Sequence, residues 1–178
     1  VLHWFAVEPG MMERWRPGDC PVYIWEPPHT RQDVYGFPIA GEVSNGIKIA
    51  TEQSDVFTTA DAIDRTVTPD EIAAMFRDYV SPHFAGVTAK SLKTSVCFYT
   101  DAPGARFVID AVPGHRHTHF MSACSGHGFK HSAALGDAMA EKLLHENSAL
   151  DLSPFSLSAL RAQERWMTKR QKRALASL

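Results

Sequence analysis

The chain predicts an α+β fold built mainly on an antiparallel sheet with flanking helices. Two observations predict it. Short hydrophobic runs follow one another at hairpin distance, separated by turn residues such as Pro27-Pro28 and Ser44-Asn45-Gly46. Only one strand–turn–helix unit is visible, near the end, so this is not a doubly wound sheet; a lone unit reads as the closing piece of a larger α/β layer. Of the 178 residues, 44% are hydrophobic and 21% charged, enough apolar material to bury a core.

Taken in order, Val1 to Val7 reads as a buried strand. A fold rarely opens on its most hydrophobic strand, so the expectation is a fragment or a processed chain. Pro21 to Trp25, Val34 to Phe37 and Gly46 to Thr51 follow as an antiparallel meander. Asp55 to Val67 is polar and reads as a loop. Thr68-Pro69-Asp70-Glu71 is a helix start, with Thr at the cap, Pro at the first position and Glu three after the cap. Ile72, Met75, Phe76, Tyr79 and Val80 then fall at helical spacing, and Pro82 ends the helix. Leu92 to Tyr99, Arg106 to Val112 and His117 to Cys124 read as strands, the last two joined through Pro113-Gly114. Ser132 to Leu144 is the second helix, with Ala134, Leu135, Ala138, Met139 and Leu143 on its apolar face.

Composition excludes several classes. No apolar run reaches roughly 18 residues, so no membrane-spanning helix is expected. Cys20, Cys97 and Cys124 show neither disulfide nor zinc spacing, so a reducing, cytoplasmic setting is the default. The net charge of −2 divides into +5 over residues 161–178 and −7 over the rest. The basic stretch lacks interleaved aromatics and reads as a solvated terminal helix or tail, not a nucleic-acid surface.

The run Ser125-Gly126-His127-Gly128-Phe129-Lys130 carries the strongest local signal. A strand, a glycine-rich turn and a helix start leave N–H groups and partial positive charge facing outward, suited to an anion or an electron-rich ring. Lys130 adds a cation where helix energetics disfavours one. The alternative is a plain glycine connection with a solvated lysine. Ser125 is no nucleophile elbow, because Ala123 replaces the first glycine, and His131 replaces the last glycine of a dinucleotide loop. Cys97, with Tyr99 on the same strand face, is either a small buried hydrophobe or, in electropositive surroundings, a nucleophile. Lys48, between Ile47 and Ile49, points to solvent or, turned inward, has a lowered pKa and a function. His115, His117 and His119 share a strand face, which suits a surface strand or a zinc or copper site.

Four pieces resemble the C-terminal half of the monomeric sarcosine oxidase and N-methyltryptophan oxidase family, flavin-dependent amine oxidases within the D-amino-acid-oxidase-like group. They are Tyr35-Gly36-Phe37-Pro38, Gly46-Ile47-Lys48, Cys97-Phe98-Tyr99-Thr100 with Phe107-Val108-Ile109-Asp110, and Ser125 to Lys130. The resemblance runs from about Tyr23 to Leu160. It implies that Cys97 bonds covalently to FAD and that Lys48 lies beside the flavin ring and activates dioxygen. It further implies that Lys130 holds the substrate carboxylate, that Tyr35, Phe37 and Thr100 line the substrate pocket, and that Gly126, His127, Gly128, Phe129 and Lys130 face the flavin. Glu52 stands where sarcosine oxidases carry a histidine near the substrate. The family's N-terminal half, with its diphosphate-binding glycine loop, has no counterpart in these residues.

The implied organisation is a substrate and catalytic domain over 1–112, a closing strand–turn–helix of the FAD-binding domain over 113–160, and a basic tail over 161–178. The implied reaction is oxidation of a secondary or N-methyl amino acid to an imine, with dioxygen reduced to hydrogen peroxide. The alternative is a non-catalytic truncated fragment or a binding subunit. The expected partners are the amine, dioxygen and either another copy or an N-terminal FAD-binding half, with no nucleic acid and no membrane.

Overall fold

In the computed structural model, residues 29, 31, 42, 54, 55, 116 and 163–178 are not described; all others are. The chain divides into two compact units, Val1–Cys97 and the part from Phe98 onward. The basic stretch falls almost wholly outside the described residues.

The first unit is a five-stranded antiparallel sheet. Its strands are β1 (Leu2–Val7), β2 (Tyr23–Trp25), β3 (Val34–Phe37), β4 (Gly46–Thr51) and β5 (Val87–Ser95), in the order β2-β3-β4-β1-β5. The expected meander is β2-β3-β4. The opening strand β1 is central, pairing with β4 on one side and β5 on the other. Strand alternation explains its hydrophobicity. His3, Phe5 and Val7 join Ile47 and Ile49 on the face packed against helix. Phe5, Ile47, Ile49, Val34 and Val80 are fully buried; each such side chain contributes roughly 1.5–3 kcal/mol.

Helix α1 (Pro69–Met75) starts at the expected capping box. Glu71 N donates to Thr68 Oγ at 3.2 Å, and Thr68 N donates to a Glu71 carboxylate oxygen at 2.8 Å. The helical spacing through Val80 holds, but Phe76–Val80 is a π-helical turn, with Ser81 N donating to the Phe76 carbonyl at 2.8 Å. The wider turn keeps Met75 and Val80 buried in the core, with Phe76 packed on it 5.7 Å from Phe5 between ring centroids.

The second unit holds a two-stranded antiparallel hairpin of β6 (Val108–Ala111) and β7 (His119–Ser122), then α2 (Ser132–His145) and α3 (Leu157–Ala162). Phe107, Ile109, Leu135, Ala138 and Leu152 form its core. Leu157 N donates to Asp110 Oδ2 at 2.8 Å, tying the start of α3 to β6. The anticipated strand–turn–helix is β7, residues 123–128, a 3-10 turn over Phe129–His131, then α2.

Two strand expectations need correction. The strand expected over Leu92 to Tyr99 is Val87–Ser95, so Cys97 and Tyr99 lie past its end and share no strand face. Its pairing with β1 ends at Leu2 opposite Ser95. The strand expected from His117 begins at His119, because Val112 N bonds the Thr118 carbonyl and closes a turn over 112–118. His115 and His117 sit in that turn, and no group that could hold a metal ion occurs among the described residues. No helix among them is long and apolar enough to cross a membrane.

Candidate functional site

Lys48 is the centre of the first unit's outer face. Because Ile47 and Ile49 point to the helix side, Lys48 points to the other. Cross-strand register places Phe37, Lys48, Trp4 and Lys93 in one row across β3, β4, β1 and β5. Tyr35 follows on the same face, opposite Ala50. The Lys48 Nζ lies 4.7 Å from the Phe37 ring centroid and 5.7 Å from that of Trp4. Lys93 Nζ approaches the same indole at 5.2 Å. Lys48 is thus neither a solvated surface lysine nor fully buried. Desolvation draws its pKa below the usual lysine value, and ionised Cys97 pulls the other way.

The backbone under Lys48 is fixed by Tyr23, whose hydroxyl donates to the Lys48 carbonyl at 3.0 Å. Gly36 makes that reach possible: a Cβ there would collide with the Tyr23 ring and the Lys48 carbonyl. Burial pushes the Tyr23 phenol far above its ordinary pKa, so it remains a donor.

Cys97 is exposed, two residues beyond β5. Arg65 donates to the Val96 carbonyl at 3.2 Å and anchors the backbone immediately before it. Glu52, just past β4, is exposed. The first unit therefore gathers Tyr35, Phe37 and Lys48 on one face, and Cys97 lies within electrostatic reach of Lys48.

The second unit carries the glycine turn. Ser125 is buried with φ +49° and acts as a staple. Its hydroxyl donates to the Arg106 carbonyl at 2.8 Å and accepts from Ala102 N at 3.2 Å. Its own N–H donates to the Thr100 carbonyl at 3.0 Å. His127 Nε2 lies 3.0 Å from the Ala105 carbonyl, which requires the Nε2–H tautomer or the imidazolium, and its ring packs on Phe107. Gly128 lies against the Ala123 carbonyl, where a Cβ would stand on the oxygen. The Tyr99 ring fills the space beside Gly126. With its base held this way, the turn presents Phe129, 94% exposed, and Lys130 outward. Thr100, whose carbonyl accepts from Ser125 N, is exposed.

Each unit by itself carries features that suit a flavin ring: the first an accessible thiol and a partly desolvated cation beside aromatic rings, the second a turn presenting backbone, an aromatic ring and a cation. A diphosphate needs a further strand–turn–helix with a glycine loop, and β7 to α2 is the one strand–turn–helix among the described residues. Sequence reasoning missed Trp4 and Lys93. Trp4 looked like part of a buried run, and Lys93 comes opposite it only through the pairing of β1 with β5, which no local pattern fixes.

A family model described as FAD dependent oxidoreductase matches residues 6–142. Monomeric sarcosine oxidase of Streptomyces avermitilis is 35% identical over 164 residues, 91% of this chain and 42% of that protein. Monomeric sarcosine oxidase of Bacillus sp. is 32% identical over 125 residues, 70% of this chain and 32% of that protein. N-methyl-L-tryptophan oxidase of Salmonella heidelberg is 32% identical over 164 residues, 89% of this chain and 41% of that protein. The chain therefore spans less than half the length of these relatives. The family match includes Lys48, Cys97 and the glycine turn, and the chain belongs to the FAD dependent oxidoreductase family.

Proposed function

We propose that this chain is the C-terminal catalytic portion of an FAD-dependent oxidase acting on a secondary or N-methyl amino acid. The observation that carries the reading is the half-buried Lys48 ammonium held beside Phe37, on the face that also carries Tyr35. The bound cofactor would supply the redox chemistry: uptake of a hydride equivalent from the carbon next to nitrogen, and its passage to dioxygen with release of hydrogen peroxide, leaving an imine.

The chain's residues do the rest. A fixed, desolvated cation at Lys48 stabilises negative charge as it develops on oxygen, with no reorganisation at the moment of reaction. Phe37 and Tyr35 provide apolar lining that excludes water from the amine. In the second unit, Lys130 would form a charge-assisted contact with the substrate carboxylate, and Thr100 would be a further substrate-binding residue. Glu52, an acidic group at this position, favours an amine that arrives as a cation. The exposed Cys97 thiol is the covalent attachment point for FAD. Gly126, His127, Gly128 and Phe129 would hold the flavin ring, with backbone N–H groups of the turn supplying positive potential to it.

The test joins the chain to the part of the Streptomyces avermitilis relative that it does not match, supplies FAD, and denatures the product. Flavin colour that stays on the polypeptide, together with peroxide release from sarcosine, is the expected result. Loss of covalent colour in Cys97→Ala assigns the attachment point. A Cys97→Ala chain that keeps its flavin covalently bound overturns that assignment, and no turnover of any N-methyl amino acid overturns the oxidase reading.

A further inference from the structure

The row Phe37–Lys48–Trp4–Lys93 contains two residues to which the family resemblance gives no role. Trp4 stands directly across from Lys48 on β4 and directly across from Lys93 on β5. Both ammonium groups lie within the distance at which an indole face attracts a cation, 5.7 Å for Lys48 and 5.2 Å for Lys93. Lys93 takes this place in an unbroken run of pairs, Leu2 with Ser95, His3 with Thr94 and Trp4 with Lys93; the register shifts only beyond it, between Trp4 and Phe5.

We propose that Trp4 is a positioning residue for the Lys48 ammonium and that Lys93 shares its ring, so that the indole couples the two cations. This rests on the reading of Lys48 as the functional cation of the outer face. The physical reason is specific to this geometry. Lysine is a flexible four-carbon stem with a compact charge, and desolvation alone would drive the ammonium outward or discharge it. Two rings, Phe37 and Trp4, offer the charge an electron-rich surface that replaces part of its lost water. Phe37 alone flanks it from β3; Trp4 flanks it from β1 and limits its swing towards β5. Lys93 on the far side of the indole competes for the same ring and repels Lys48. Among the described residues, Cys97 beyond β5 acts in the opposite sense when ionised.

The experiment replaces tryptophan by a series of increasingly fluorinated tryptophans in the full chain. Fluorination weakens the attraction of the indole face for cations and leaves ring shape almost unchanged. The readout is the pKa of Lys48 from NMR of 13Cε-labelled lysine, with the signal identified by its loss in Lys48→Arg. Only the ammonium form is held by the ring, so the pKa should fall stepwise, by about half a unit over the series. The same series in a Trp4→Phe background should be flat, which separates Trp4 from the other tryptophans. Lys93→Met should raise the Lys48 pKa by a few tenths of a unit, roughly a twofold change in protonation equilibrium. A flat series in the parent chain, or one equally steep without Trp4, overturns the positioning role; an unmoved pKa in Lys93→Met overturns the coupling. Neither readout involves flavin. A stepwise fall combined with an unchanged oxygen reaction in Lys48→Met of the FAD-loaded protein would leave the positioning in place and remove the oxidase role of Lys48.

Discussion

His3 should make the first unit sensitive to mild acid. It lies on β1 under the helix face, 2% exposed, stacked on Phe5 at 5.7 Å between centroids and 10° between planes. Its Nδ1 is buried with no hydrogen-bond partner. Burial, aided by the Val1 ammonium and opposed by Glu71, pushes its pKa down to about 4 from 6.5. A base whose folded pKa is depressed binds more protons when unfolded, so stability rises with pH across the window between the two values. Above about pH 6.5 both states are neutral and the residue has no pH effect; below it the unfolded state gains protons that the folded state refuses until about pH 4. From about pH 7 to about pH 5 this linkage removes about 2 kcal/mol, with a ceiling of about 3 kcal/mol once both states are protonated.

The perturbation is His3→Phe, which keeps a flat ring against Phe5 and discards the titrating nitrogens. Urea unfolding of parent and variant at both pH values isolates the term as a difference of differences, so titrations not coupled to His3 cancel. Glu71, Asp64 and Asp78 have lowered pKa values and lose their contributions only below the ordinary carboxylate range, outside this window. The variant should show an acid loss smaller by about 2 kcal/mol. At neutral pH it should be at least as stable as the parent, because an unpaired buried acceptor costs about 1–3 kcal/mol. Parallel pH dependences in the two chains would refute the reasoning.

The remaining predictions concern the site. In the FAD-loaded protein, Lys48→Met should slow reoxidation by dioxygen roughly 100-fold and change anaerobic reduction less, because the cation matters when charge builds on oxygen; stopped-flow measurement of each half-reaction decides it, and equal slowing would contradict the role. Lys130→Met should weaken carboxylate-bearing amines by about tenfold to a hundredfold, the worth of a charge-assisted contact, and spare amines without a carboxylate; equal losses for both would contradict it. Gly128→Ala should destabilise the second unit by more than about 2 kcal/mol, since its Cβ meets the Ala123 carbonyl and not a yielding side chain; near-parent urea unfolding would show that the turn can open at little cost.

How far the sequence speaks depends on whether a residue's role is fixed locally or across strands. The start of α1 was legible because Thr68 and Glu71 satisfy the same two backbone N–H groups in any context, and Pro69 has none to satisfy. Strands β3 and β4 kept their expected bounds because both ends are turn residues or unpaired chain. The end of β5 was illegible: Val96 to Tyr99 has strand composition, but strand length is set by the partner, and β1 ends the pairing at Ser95. The same limit hid the histidines, since His115 and His117 alternate as a strand would while local bonds curl them into a turn.

The candidate site repeats this division. Alternation around Ile47 and Ile49 left Lys48 with two choices, inward or outward, and period two alone offers no third. The structure supplies one: an outward lysine desolvated by neighbours on adjacent strands, which becomes possible only when register sets Phe37 and Trp4 on either side. A slip of β4 by one residue would keep the composition and lose this environment entirely, because every outer residue of β4 would turn to the core. The same holds for Gly36, whose missing side chain serves a tyrosine on the next strand and a carbonyl on the one after. What positions Lys48 is thus a property of four paired strands, and the part of it written within β4 itself is the pair of isoleucines that decides which way the lysine faces.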